Sequence, residues 1–247
     1  METIGKITLL MSILLNLVIA GVGGILVYSK GGIPYIIRQV SLLQNPELRA
    51  DIMYDVPYYW SRKTHFETLP QSNADIVFLG DSLTDSCEWQ EFFRNAAIKN
   101  RGISGDTTKG ILNRIDEVVE VQPKKLFIMI GINDINQGRE LEAILKDYEV
   151  ILRTFKERIP QTQIFVQSVL PVNNQKFVNL GVNKKVIEIN SKLKEFSQKF
   201  SFQYIDLYSG FLDSNNQLDA RYTIDGIHLN GQGYLAWQKM IEQDIEQ

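Results

Sequence analysis

Histidine and cysteine are scarce in this chain. Of its 247 residues only two are His, His65 and His228, and one is Cys, Cys87. A single thiol excludes an intrachain disulfide and leaves the redox compartment open. Three residues also argue against a zinc site built from several His and Cys ligands, so no metal or cofactor is expected. Chemistry that needs an imidazole must use one of two side chains. A block of like charge is missing too. The formal net charge is −3, with 26 basic and 29 acidic residues and no Lys/Arg cluster, which removes the electrostatic footprint of a nucleic-acid partner. What remains, 44% hydrophobic and 22% charged residues, is the composition of one ordinary globular domain.

One long uncharged run is present. Ile7 to Tyr28 carries no charge and is bounded by Lys6 and Lys30. At about 1.5 Å per residue it is long enough to cross a hydrocarbon layer of ~30 Å. Ser12, Asn16, Gly21, Gly23 and Gly24 dilute it. The expectation is one N-terminal transmembrane helix, 1–30, with the rest of the chain outside the cytoplasm. One alternative is a cleaved signal segment ending near Val18-Ile19-Ala20, after which the protein would be secreted; the other, a buried core helix, is disfavoured because the run is apolar on all faces. Residues 31–73 contain Pro34, Pro46, Pro57 and Pro70 and read as a connector entering the domain through Tyr58-Tyr59-Trp60. The third part is 74–247.

In that third part apolar runs alternate with helical patterns. Ile76–Leu79, Ile98–Arg101, Leu126–Ile130, Ile164–Leu170 and Phe202–Ile205 read as strands. Between them Leu141, Ile144, Leu145, Tyr148, Ile151, Leu152 and Phe155 recur at three- and four-residue steps, as do Val182, Val186, Ile189, Leu193, Phe196 and Phe200. Thr107–Val121 and Gly233–Ile245 are two further helices. The alternation means βαβ units and a parallel sheet covered on both faces, whose ligand sites lie beyond the carboxyl ends of the strands.

The chemistry-bearing residues fall at those ends. Gly80-Asp81-Ser82-Leu83-Thr84 follows the first run, Arg101-Gly102-Ile103-Ser104-Gly105-Asp106 the second, and Gly131-Ile132-Asn133-Asp134 the third; Asp225-Gly226-Ile227-His228-Leu229 stands near the C-terminus. A serine hydroxyl attacks an acyl carbon once a base takes its proton, and imidazole suits that task. A carboxylate fixes the imidazole tautomer, and Asp225, three residues before His228, can do so across one turn. Preset donors then hold the oxyanion: Gly102 allows close backbone approach, and Asn133 has an amide NH2.

These four segments resemble the four blocks of the SGNH hydrolases, also called GDSL-type esterases and lipases. In style they are closest to the branch related to platelet-activating-factor acetylhydrolase subunits and bacterial acyl esterases. The resemblance spans roughly Asp75 to Gln247. It implies a three-layer α/β/α sandwich on a five-stranded parallel sheet, flavodoxin-like in build. It also implies Ser82 as nucleophile with His228 and Asp225, and an oxyanion hole of Ser82 N–H, Gly102 N–H and Asn133 Nδ2. Thr84 stands where the Gly-x-Ser-x-Gly elbow of α/β-hydrolases has its second glycine, which argues against that fold.

Plainer readings apply elsewhere: His65 as a surface residue, Cys87 as a small buried one, Asp134 as a turn or cap, Asp85 and Glu88 as helix-start carboxylates. The expected function is ester hydrolysis, with two substrate classes open. One is acetyl groups on an extracellular or cell-wall glycan; the other is a lysophospholipid or related lipid ester. A catalytically silent binding module of the same fold is the rival from another class. Oligomeric state is not legible.

Overall fold

The computed structural model describes residues 2–30, 32–44, 57–69, 76–177, 179 and 181–246. The chain divides into two compact units, Met1–Arg49 and Ala50–Gln247.

The first unit holds α1 (Glu2–Ser29) and α2 (Ile33–Gln44). Gly32, at φ +73°, turns the chain out of α1 and donates its N–H to Val27 O at 2.8 Å, closing the last turn as a left-handed cap does. The expected transmembrane helix needs correction. Among the described residues no helix is long and apolar enough to cross a membrane. A membrane span for α1 is therefore unsupported.

The second unit opens with α3 (Pro57–Thr68), a helix inside the stretch that reads as connector. Tyr59 and Phe66 are buried, whereas Tyr58 and Trp60 are exposed. Then follow β1 (Ile76–Gly80), α4 (Ser82–Asp85), α5 (Trp89–Phe92), β2 (Ile98–Gly102), α6 (Thr108–Asn113), α7 (Ile115–Val121) and β3 (Lys125–Met129). The chain continues through α8 (Ile132–Asn136), α9 (Leu141–Arg158), β4 (Gln163–Gln167), α10 (Val182–Phe200), β5 (Gln203–Ile205), a 3₁₀ turn (Tyr208–Phe211) and α11 (Gly231–Glu246). The five strands form one sheet in the order β2-β1-β3-β4-β5, and every neighbouring pair is parallel.

Alternation along the strands sorts the core into two layers. Val77, Leu79, Leu126, Ile128, Ile164 and Val166 point to one face, where α9 brings Ile144, Tyr148, Ile151, Leu152 and Phe155 and α10 brings Val186, Ile189 and Leu193. Ile76, Phe78, Phe127, Met129 and Phe165 point to the other, against Trp89 and α11 residues Tyr234, Trp237 and Ile241. On that second face Trp89, Phe78, Phe127 and Phe165 stack in a row, with centroid separations of 4.0, 4.9 and 4.3 Å. Offset aromatic contacts of this kind add to the burial itself.

The single helix expected over Thr107–Val121 is two. Arg114, at φ −131°, leaves helical conformation between α6 and α7. Its guanidinium is fully buried and bonded to Asp106 Oδ2 at 2.8 Å, Glu117 Oε1 at 2.5 Å, Arg101 O at 2.9 Å and Gly80 O at 3.2 Å.

Candidate active site

Ser82 is the first residue of α4, immediately beyond β1. Asp81 caps that helix, its Oδ1 accepting from Leu83 N at 3.0 Å. Burial pushes the Asp81 carboxyl up to about 7, the Leu83 hydrogen bond opposing and the neighbouring Asp106 and Asp134 adding to the rise. Gly80 is required here, because a Cβ would strike Thr84 and the Met129 carbonyl.

The C-terminal turn brings the imidazole to the serine. Thr223 and Leu229 pair as an antiparallel bridge, and Thr223 Oγ1 donates to His228 O at 2.7 Å while accepting Gly226 N at 2.9 Å. Gly226 sits at φ +94°, where a Cβ would collide with Phe177 and Asn173 backbone. Asp225 Oδ1 accepts from Ile227 N at 3.0 Å and His228 N at 2.8 Å, an Asx turn that Asp and Asn favour. Its Oδ2 lies 2.6 Å from His228 Nδ1, and His228 Nε2 lies 3.1 Å from Ser82 Oγ. Serine, histidine and aspartate are thus in hydrogen-bonded sequence. In that order an imidazole can take the hydroxyl proton and the carboxylate can stabilise the resulting cation. The His228 and Asp225 side chains are about half exposed (48% and 50%), so the site opens directly to solvent.

Partial burial would raise the Asp225 carboxyl, but the His228 ring and the Ile227 and His228 N–H groups outweigh it and hold it at about 2. The sign follows: a depressed folded value stabilises the fold above the unfolded value near ~3.9, and that contribution is lost as pH falls towards 2. Titration of the Asp225 side-chain carbonyl resonance by NMR is therefore expected to show a midpoint near 2, and a midpoint at about 4 would contradict the pairing.

The oxyanion donors are less simply placed. Gly102 N–H already donates to Asn100 Oδ1 at 2.8 Å. Gly102 serves packing instead, since a Cβ there would fall inside the backbone of Thr84 and Asp85. The Gly102 N–H expected as an oxyanion donor is thus engaged within the chain. Three residues on, Gly105 lies at φ +84° in a turn closed by Asp106 N→Ile103 O at 3.0 Å. Among the described residues neither Gly105 N–H nor Ser82 N–H donates to a protein acceptor. Asn133 Nδ2 gives one hydrogen to Asp106 O at 2.9 Å, leaving a second beside the same turn. The sequence offers two glycines in this segment, Arg101-Gly102-Ile103 and Ser104-Gly105-Asp106, and nothing in it says which N–H is left unengaged.

Other residues fall as follows. His65 is exposed and Cys87 buried, with burial pushing the thiol up to about 12. Asp134 is buried, accepting from Thr108 N at 3.0 Å, Thr108 Oγ1 at 2.7 Å and Arg139 at 2.6 Å, a structural tie. Asp85 lies in the first turn of α4, as expected of a helix-start carboxylate, and in addition receives hydrogen bonds from Ser104, Tyr58 and Arg62. Among the described residues no group of three His, Cys, Asp or Glu side chains is arranged to hold a metal ion.

The model of the GDSL-like lipase/acylhydrolase family matches residues 78–236. The chain belongs to this family. It is 29% identical over 209 residues to platelet-activating factor acetylhydrolase IB subunit alpha2 of Rattus norvegicus and of Homo sapiens, covering 82% of this chain and 89% of each relative. Among solved structures, a GDSL-like lipase from Bacteroides thetaiotaomicron aligns with a TM-score of 0.67 at 24% identity, over 76% of this chain and 97% of that one. An acetylxylan esterase from Geobacillus stearothermophilus aligns with a TM-score of 0.58 at 18% identity, over 70% and 94%. These two likenesses speak for the fold. The family membership makes the chain an ester-bond hydrolase of the GDSL type.

Proposed function

We propose that Ser82 is the nucleophile, His228 the general base and acid, and Asp225 the residue that orients it. The observation that carries this is the continuous geometry Ser82 Oγ, His228 Nε2, His228 Nδ1, Asp225 Oδ2, with contacts of 3.1 and 2.6 Å. His228 takes the Ser82 proton as Oγ bonds to the ester carbonyl carbon. The oxyanion is held by Ser82 N–H, Gly105 N–H and Asn133 Nδ2. Collapse expels the alcohol, which takes its proton from His228, and water repeats the sequence on the acyl-enzyme.

We propose acetyl esters as the substrate class, with a glycan as the alcohol part. The half-exposed His228 and Asp225 leave room for a bulky alcohol, and the acetylxylan esterase is an acetyl-removing enzyme on a glycan by its name. A lipid alcohol is the second reading, favoured by the likeness to platelet-activating factor acetylhydrolase over most of the chain. Both names share the acetyl group. A panel of synthetic esters from acetyl to long-chain acyl is expected to show turnover falling steeply beyond the shortest acyl groups. Preference for long chains would contradict the acetyl reading, and acetylated oligosaccharide against acetylated lipid separates the two alcohols. Placement of the catalytic domain outside the cytoplasm is likewise a proposal, tested by protease accessibility on intact cells.

A further inference from the structure

Asp85 joins three segments that the proposed mechanism treats separately. It lies one turn beyond Ser82 on α4, with a side chain only 9% exposed. Its Oδ2 accepts from Ser104 N at 3.1 Å and Ser104 Oγ at 2.9 Å, on the turn that carries Gly105. The same oxygen accepts from Tyr58 OH at 2.6 Å, and Oδ1 accepts from Arg62 at 3.3 Å, both on α3. Helix α3 is anchored on its own account: Tyr59 OH donates to Gly110 O at 3.0 Å, and the Phe66 ring carries the Arg62 and Arg101 guanidiniums, each 4.6 Å from its centroid. It lies outside the residues 78–236 that the family model matches.

We infer that Asp85 is a positioning residue for ester hydrolysis, through which the docking of α3 sets the orientation of the oxyanion turn. This rests on the reading of Ser82 and its partners given above. The direction of Gly105 N–H is fixed by the peptides on either side of it. Asp106 N on Ile103 O fixes one side; Ser104 on Asp85 fixes the other. Gly102 lets the Asp85 backbone press against the start of the same loop. Tyr58 and Arg62 supply the donors that keep the carboxylate from turning away from Ser104. Donors to an oxyanion act only when held in place beforehand, and a displacement of about 1 Å can cost ~100-fold in rate.

The test compares the full chain with Asp85→Asn and with the double variant Tyr58→Phe/Arg62→Met, on an acetyl ester. Asp85→Asn keeps the shape but places a donor among donors. It is expected to lower kcat by about 10- to 100-fold, with KM within about threefold and Ser82 and His228 untouched. The double variant, which leaves Asp85 and Ser104 in place, is expected to lose about 3- to 10-fold in kcat. A purely structural role would instead lower the melting temperature and leave kcat of the folded protein unchanged, and that result would overturn the inference. If Asp85→Asn does not fold, the double variant decides: unchanged kcat overturns the proposal. Wild-type protein that fails to turn over esters, or turnover that survives Ser82→Ala, would overturn the underlying reading together with this one. Normal, Ser82-dependent turnover with an unaffected Asp85→Asn variant overturns this one alone.

Discussion

Ser82→Ala is expected to lower kcat/KM for an acetyl ester by about 10⁴-fold or more while leaving the melting temperature within a few degrees of wild type. The size follows from what the hydroxyl does. Without Oγ there is no acyl-enzyme, and the residual rate is whatever water achieves beside His228 and the oxyanion donors. Stability should hardly move, because Ser82 Oγ makes its contact with a half-exposed histidine and its backbone keeps the first turn of α4. The side chain contributes little to a buried core. Steady-state kinetics with thermal denaturation on the same preparations checks both halves. Turnover within tenfold of wild type would remove Ser82 from the chemistry.

The second large effect concerns stability. Arg114→Met is expected to destabilise the fold by about 3–5 kcal/mol, the cost of leaving buried charges unpaired. Arg114 neutralises Asp106 and Glu117, whose side chains are 0% and 3% exposed, and also satisfies the Gly80 and Arg101 carbonyls. Burial already pushes Asp106 up to about 6 against the opposing pull of Arg114, and Glu117 is raised in the same way. Removing the cation raises both further. A carboxyl with a raised folded pKa stabilises most fully below its unfolded value and loses that contribution as pH rises through the folded value. The variant should therefore lose more stability, relative to wild type, at pH 8 than at pH 5. Denaturant unfolding at the two pH values measures this. A loss below about 1 kcal/mol at pH 8 would mean that the network is not held by charge.

Much of the sheet was legible from local patterns, because buried parallel strands read as short apolar runs. Ile76–Leu79 and Leu126–Ile130 are examples, and even the weaker Ile98–Arg101 lies in β2. The long helices α9 and α10 carry clean apolar stripes. What escaped were features set by contacts distant in sequence. The break falls at Arg114, whose side chain meets the Gly80 and Arg101 carbonyls and the buried Asp106. The role of Asp85 depends on α3, which approaches from a proline-containing stretch with no apolar stripe. Gly102 and Gly105 are indistinguishable as letters; only the acceptor at Asn100 tells which N–H is already engaged. The places of Ser82, Asn133, Asp225 and His228 in the fold were legible for the opposite reason. Each lies just beyond a strand or in a tight Asx turn, so short motifs suffice to place them. The apolar stretch Ile7–Tyr28 reads as a span by length and lack of charge, and among the described residues no helix supports that reading.

The central claim is that Ser82 is an activated nucleophile. Incubating the folded chain with a fluorophosphonate, then locating the adduct by peptide mass spectrometry, tests it most directly. The geometry at His228 and Asp225 requires a single phosphonyl group on Ser82, absent from Ser82→Ala and strongly slowed in His228→Ala. Wild-type protein that stays unlabelled, or carries the adduct on another residue, would contradict it.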